Sequence, residues 1–194
     1  MENDKILSPA ESLKLIAETI EKTKSNVQNG SFYFLLWGWL VSISGIIQFI
    51  LVEYTDIQAY YYVWPIMAII GTVACIIYGY RVERLKKYET YLDSVFMNLW
   101  IVVGISFFLI VFISLWYKTL PVPYILLLAG IGTMVSGLII KFKPMIIGGV
   151  LFFVFSIVSL FVPPSYQVLI STLAIIIGYL IPGYILKSNQ SKKA

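Results

Sequence analysis

Six stretches of this chain are apolar over the length a helix needs to cross a lipid bilayer, and no other feature restricts the fold as tightly. A hydrocarbon core about 30 Å thick takes about 20 consecutive apolar residues in helical form. The qualifying stretches are Phe32–Val52, Tyr62–Tyr80, Val95–Trp116, Pro123–Ile140, Met145–Phe161 and Val168–Leu186. Composition points the same way: 59% of the 194 residues are apolar, 12% are charged, and the mean hydropathy is +0.87. A soluble domain of this size has too little interior to hide so much apolar surface. Disorder requires the opposite composition. The expected fold is therefore all-α and polytopic. Residues 1–31 should form a cytoplasmic amphipathic helix, 32–187 a six-helix transmembrane bundle, and 188–194 a basic cytoplasmic tail. No cleavable signal peptide is expected, because the first apolar run follows a long charged segment.

Lysine and arginine orient the spans. Lys5, Lys14, Lys22 and Lys24 precede the first span. Arg81, Arg84, Lys86 and Lys87 lie between the second and third, Lys141 and Lys143 between the fourth and fifth, and Lys187, Lys192 and Lys193 after the sixth. Lys118 alone remains for the opposite side. Cytoplasmic loops retain basic residues, so both termini are expected in the cytoplasm. Aromatic residues fit this register. Trp37, Trp39, Tyr78, Tyr80, Trp100 and Tyr184 fall near inner boundaries, and Tyr54, Tyr60, Tyr61, Trp64, Trp116, Tyr117, Tyr124 and Tyr166 near outer ones.

The even-numbered spans share a pattern. Ile131-Gly132 through Lys141 and Ile177-Gly178 through Lys187 both read I-G-x4-G-x-I-x-K. The second span has a partial version in Ile70-Gly71, Gly79 and Arg81, and each even span begins near proline. Three hairpins inserted in the same direction are expected. Small residues at i, i+4 spacing mark the helix-packing faces: Gly71, Cys75 and Gly79; Thr133 and Gly137; and Gly178 after Ala174. Pro182 should kink the sixth span.

The chain has no histidine and one cysteine, which excludes imidazole metal sites, nucleophile–histidine pairs and an intrachain disulfide. Asp4, Asp56 and Asp93 all lie outside the spans, so no intramembrane aspartyl pair exists. No catalytic, cofactor-binding or metal-ligating residue is expected, and the chain reads as a non-enzyme. The polar residues expected to be buried in the spans are Gln48, Thr72, Asn98, Thr133, Ser136, Ser156, Ser171 and Thr172. Hydroxyls can bond back to their own helix, whereas the amides of Gln48 and Asn98 need partners and are read as interhelical hydrogen-bonding groups, with a substrate contact as the alternative.

The best-specified polar element is the N-terminal helix. Ser8 fits an N-cap, Pro9 the first position, and Glu11 the third, reaching back to complete a capping box. Leu13, Ile16, Ile20 and Val27 form one stripe behind it. A second apolar stripe, Val82, Leu85, Tyr88, Leu92 and Val95, suggests that the second and third spans continue as helix into the cytoplasm. The N-terminal stripe could pack on that segment or on the bilayer surface. The sharper alternative is that it docks a cytoplasmic protein or a second copy of the chain. The expected partners are thus the bilayer and such a protein, not nucleic acid. The leading functional expectation is a regulatory, sensing or scaffolding membrane component. The alternative is a small transporter or channel for a neutral or lipophilic solute, lined by Gln48, Asn98, Thr133 and Ser136.

Three segments resemble an uncharacterised family of small bacterial multi-span membrane proteins: Phe32–Leu40, Lys141–Gly149 and Ile181–Lys187. The likeness runs from Ser12 onward. It implies a bacterial inner-membrane protein from a family often encoded beside a small winged-helix regulator. No functional residues are established for that family, so none transfer.

Overall fold

The computed structural model describes residues 31–55, 58–83 and 91–191, together with Ser8, Glu11 and Leu13. The described chain is helical, and no strand occurs among these residues. Helix α1 spans Ser31–Tyr54, and a 3-10 turn at Gln58–Tyr62 leads into α2, Val63–Glu83. Then come α3 (Tyr91–Tyr117), α4 (Val122–Ile139), α5 (Lys143–Ser159) and α6 (Pro164–Ile175). A π-helical segment, Ile176–Leu180, joins α6 to α7, Ile181–Ser191.

Five helical stretches are long and apolar enough to cross a membrane: Ser31–Tyr54, Tyr60–Arg81, Ser94–Tyr117, Val122–Ile139 and Pro164–Ser188. Helix α5 is also apolar but has 17 residues. At 1.5 Å per residue it measures about 25 Å, short of the hydrocarbon thickness.

Proline and lysine set the helix ends. Prolines occupy the first turns of α4, α5 and α6, where a missing N–H costs nothing. Helices α3 and α4 both finish in a Schellman motif. Thr119 N–H donates to Ser114 O at 2.9 Å and Lys118 N–H to Leu115 O at 3.3 Å. In α4, Phe142 N–H donates to Gly137 O at 2.8 Å and Lys141 N–H to Leu138 O at 3.3 Å. The left-handed position is a lysine each time, Lys118 at φ 51° and Lys141 at φ 53°. Each cation stands at a helix C-terminus, where it offsets the carbonyl end of the dipole.

The broadest interface is α4 on α5, followed by α1 on α6; α2 leans on α1, and α3 on α4. The flanking pair is thinly covered. In the spanning stretches of α2 and α3, 11% of residues are buried, against 39% in α4 and 44% along α6–α7. The core therefore lies among α1, α4, α5 and α6–α7. One buried cluster joins Phe34, Ile140, Met145 and Leu186 toward one membrane face, and another joins Leu126, Phe152 and Ala174. Tyr179 packs against both.

Candidate functional site

Glycine lets the central helices touch backbone to backbone. A Cβ at Gly148 of α5 would overlap the carbonyl oxygen of Gly178, and one at Gly178 would stand 3.0 Å from Gly148 O. The two segments therefore meet through reciprocal Cα–carbonyl contact, which side chains at either position would prevent. Pro182 explains the local backbone. In an α-helix its N–H would bond Gly178 O, but proline has none and its ring crowds that carbonyl. The helix widens instead, and Ile181 N–H reaches Ile176 O in π geometry. The disturbance expected at Pro182 is thus taken up in the preceding turn, the one that faces Gly148.

The π segment also presents Tyr179 to an aromatic cluster. Its ring lies 5.1 Å from Phe34, 6.3 Å from Trp100 and 6.5 Å from Phe152, all edge-on. Phe34 and Trp100 meet at 5.8 Å. Three elements besides α6–α7 are tied together by one ring, with the edge-to-face geometry that aromatic quadrupoles favour. Nothing in the sequence pairs these residues, which lie far apart along the chain.

The small-residue stripes face particular neighbours. Gly71 sits against Trp37 and Leu40 of α1, Cys75 is a half-buried free thiol, and Gly79 has Tyr33 Oη at 3.6 Å as its near atom. Gly137 lies 2.7 Å, at its Cβ position, from the Ile146 nitrogen of α5. Thr133 and Ser136 are fully buried, and their hydroxyls have no hydrogen-bond partner; nor does buried Trp100 Nε1.

The remaining polar residues divide by position. Gln48 Oε1 accepts from Trp64 Nε1 at 2.6 Å, pinning α1 to the start of α2. Ser156 donates across helices to Pro123 O at 2.7 Å. Ser171 and Thr172 bond back to Val168 O within α6. Thr72 and Asn98 are exposed, contrary to the reading of both as buried groups. They belong to the flanking helices α2 and α3, each covered along a narrow face. Of the four residues proposed as a solute lining, Thr133 and Ser136 are buried within one turn of each other on α4, Gln48 is engaged by Trp64, and Asn98 is exposed.

At the N-terminus, Glu11 Oε2 accepts from Ser8 N–H at 2.9 Å, and Ser8 Oγ accepts from Glu11 N–H at 3.3 Å. This is a reciprocal capping box. The Ser8 bonds hold the Glu11 carboxyl below its ordinary pKa. Leu13, two residues on, is 68% exposed. Ile16, Ile20 and Val27 lie outside the described residues, as does the segment 84–90.

Among the described residues, no group of three or more His, Cys, Asp or Glu side chains is positioned to hold a metal ion. No family model matches the sequence, and no curated protein and no solved structure matches it either.

Proposed function

We propose that this chain is a non-enzymatic protein of a bacterial inner membrane that senses or scaffolds through its N-terminal cytoplasmic helix. It crosses the membrane six times as three hairpins, with both termini in the cytoplasm. The observation that carries the reading is the Ser8–Glu11 capping box followed by exposed Leu13. A capped helix start outside the apolar stretches, leading with an uncovered leucine, is suited to docking. The described bundle supports the reading too, since glycine contacts and aromatic rings fill its centre, and its two buried clusters contain no Asp, Glu, Lys or Arg among the described residues. For the sixth crossing, α5 is flanked by apolar Phe142, Leu160 and Phe161, which bring it close to bilayer thickness. The basic residues favour the orientation, and the resemblance to small bacterial multi-span proteins favours the location.

Replacing Leu13 and Ile20 together with glutamate tests the docking face. In-cell crosslinking from the N-terminal segment should then lose its protein adducts while membrane insertion is retained. An unchanged adduct pattern would refute the docking role. A second reading, a channel for a neutral solute, draws on the unpartnered Thr133, Ser136 and Trp100 atoms. Solute flux into proteoliposomes above empty vesicles would favour it, and no excess flux would exclude it.

A further inference from the structure

A recess of about 410 Å³ lies beneath the turn joining α3 to α4, at the membrane face opposite the Lys141–Lys143 turn. Ile110 and Ile113 line it from deeper in α3, while Tyr117, Thr119 and Tyr124 line it near the turn. Ser114, also in the lining, is buried. Four hydroxyl-bearing side chains thus surround an apolar base. The order matches the bilayer itself, polar groups at headgroup depth over hydrocarbon. The volume falls within the range of small-ligand sites.

The cation at this place is Lys118, between the lining residues Tyr117 and Thr119. Its backbone is left-handed, a conformation that strains a non-glycine residue. The side chain is exposed, and among the described residues no carboxylate pairs with it. A glycine would close the same Schellman turn with less strain; the lysine found there adds a positive charge that suits the helix C-terminus and stands beside the mouth of the recess. We infer that the recess binds a phospholipid with an anionic headgroup, its phosphate held by Lys118 and the hydroxyls and its first methylenes against Ile110 and Ile113. The inference is independent of the proposed docking role of the N-terminal helix.

Local photo-crosslinking tests it. A benzophenone amino acid replaces Ile113 in the full chain. The protein is then reconstituted in vesicles of dioleoyl-phosphatidylglycerol and dioleoyl-phosphatidylcholine in equal amounts, and lipid adducts are identified by mass spectrometry. Phosphatidylglycerol adducts should exceed phosphatidylcholine adducts by about fivefold, the contribution of one lysine at an anionic surface. Lys118→Gly, which suits the turn, should bring the ratio to unity. Ser114→Leu, which fills the recess, should reduce both adducts, and Lys187→Gln at the opposite face should leave the ratio unchanged. Equal adducts in the unaltered protein, an unchanged ratio in Lys118→Gly, or adducts to a second protein chain in place of lipid would overturn the inference.

Discussion

Gly148→Ala is the most demanding single change for this packing. The added methyl would overlap the Gly178 carbonyl oxygen, a backbone atom that no rotamer change can move aside. To restore ordinary contact, α5 and the π segment must part by roughly 1 Å, which forfeits up to half the dispersion well between facing atoms. With about 40 atom pairs at about 0.15 kcal/mol each, the loss is about 3 kcal/mol. Alanine recovers about 1 kcal/mol of helix propensity, leaving a net destabilisation of about 2 kcal/mol. Gly104→Ala is the matched control, because nothing lies within 4 Å of its Cβ position. Reversible unfolding in mixed micelles, followed by steric trapping, gives both free energies. The reasoning is refuted if Gly148→Ala lies within about 0.5 kcal/mol of Gly104→Ala, the usual scatter for unconstrained sites.

Three further outcomes follow from other contacts. Gln48→Leu should cost about 1 kcal/mol in the same unfolding assay, within the range for interhelical bonds in membranes, and Trp64→Phe should remove most of that cost in a double-mutant cycle. Glu11 has a folded pKa below its ordinary 4.5, so its cap contribution is present above that value and disappears as pH falls through the lowered one. Amide exchange in the N-terminal segment should accelerate on acidification in the unaltered protein, and Glu11→Gln should show a much weaker pH response. Thr133→Val removes an unpartnered buried hydroxyl at nearly constant volume, so stability should hold or rise by about 1 kcal/mol. A loss of that size would mean the hydroxyl has a partner such as a bound water.

Much of the architecture was readable because bilayer physics writes itself into local sequence. Helix positions follow from runs without charge, as at Ser94–Tyr117, and the prolines noted near the even spans stand at helix starts, Pro123 in α4 and Pro164 in α6. The Ser8–Glu11 box was readable for the same reason, since its partners stand three residues apart. What required the structure is long-range. The stripe that contains Gly178 marks a packing face, yet that its partner is Gly148 of α5 follows only from the fold. Pro182 announced a disturbance, but where it is absorbed depends on α5 leaving room beside Gly178. Asn98 looked like an amide in need of a partner, and the narrow contact of α3 with α4 leaves it exposed. The count of spans shows the same division. Five helices satisfy length and composition alone, whereas α5, at 17 residues, depends on its flanks.

The account rests on a membrane-embedded bundle whose two ends share a face. Single cysteines at Ser8, Lys118 and Ser188, introduced into a Cys75→Ala background, test that with a membrane-impermeant maleimide on intact cells. The cysteine at 118 should label from outside, while those at 8 and 188 should react only after the membrane is opened. Labelling of the two terminal positions from opposite sides, or of all three alike in intact cells, would contradict it.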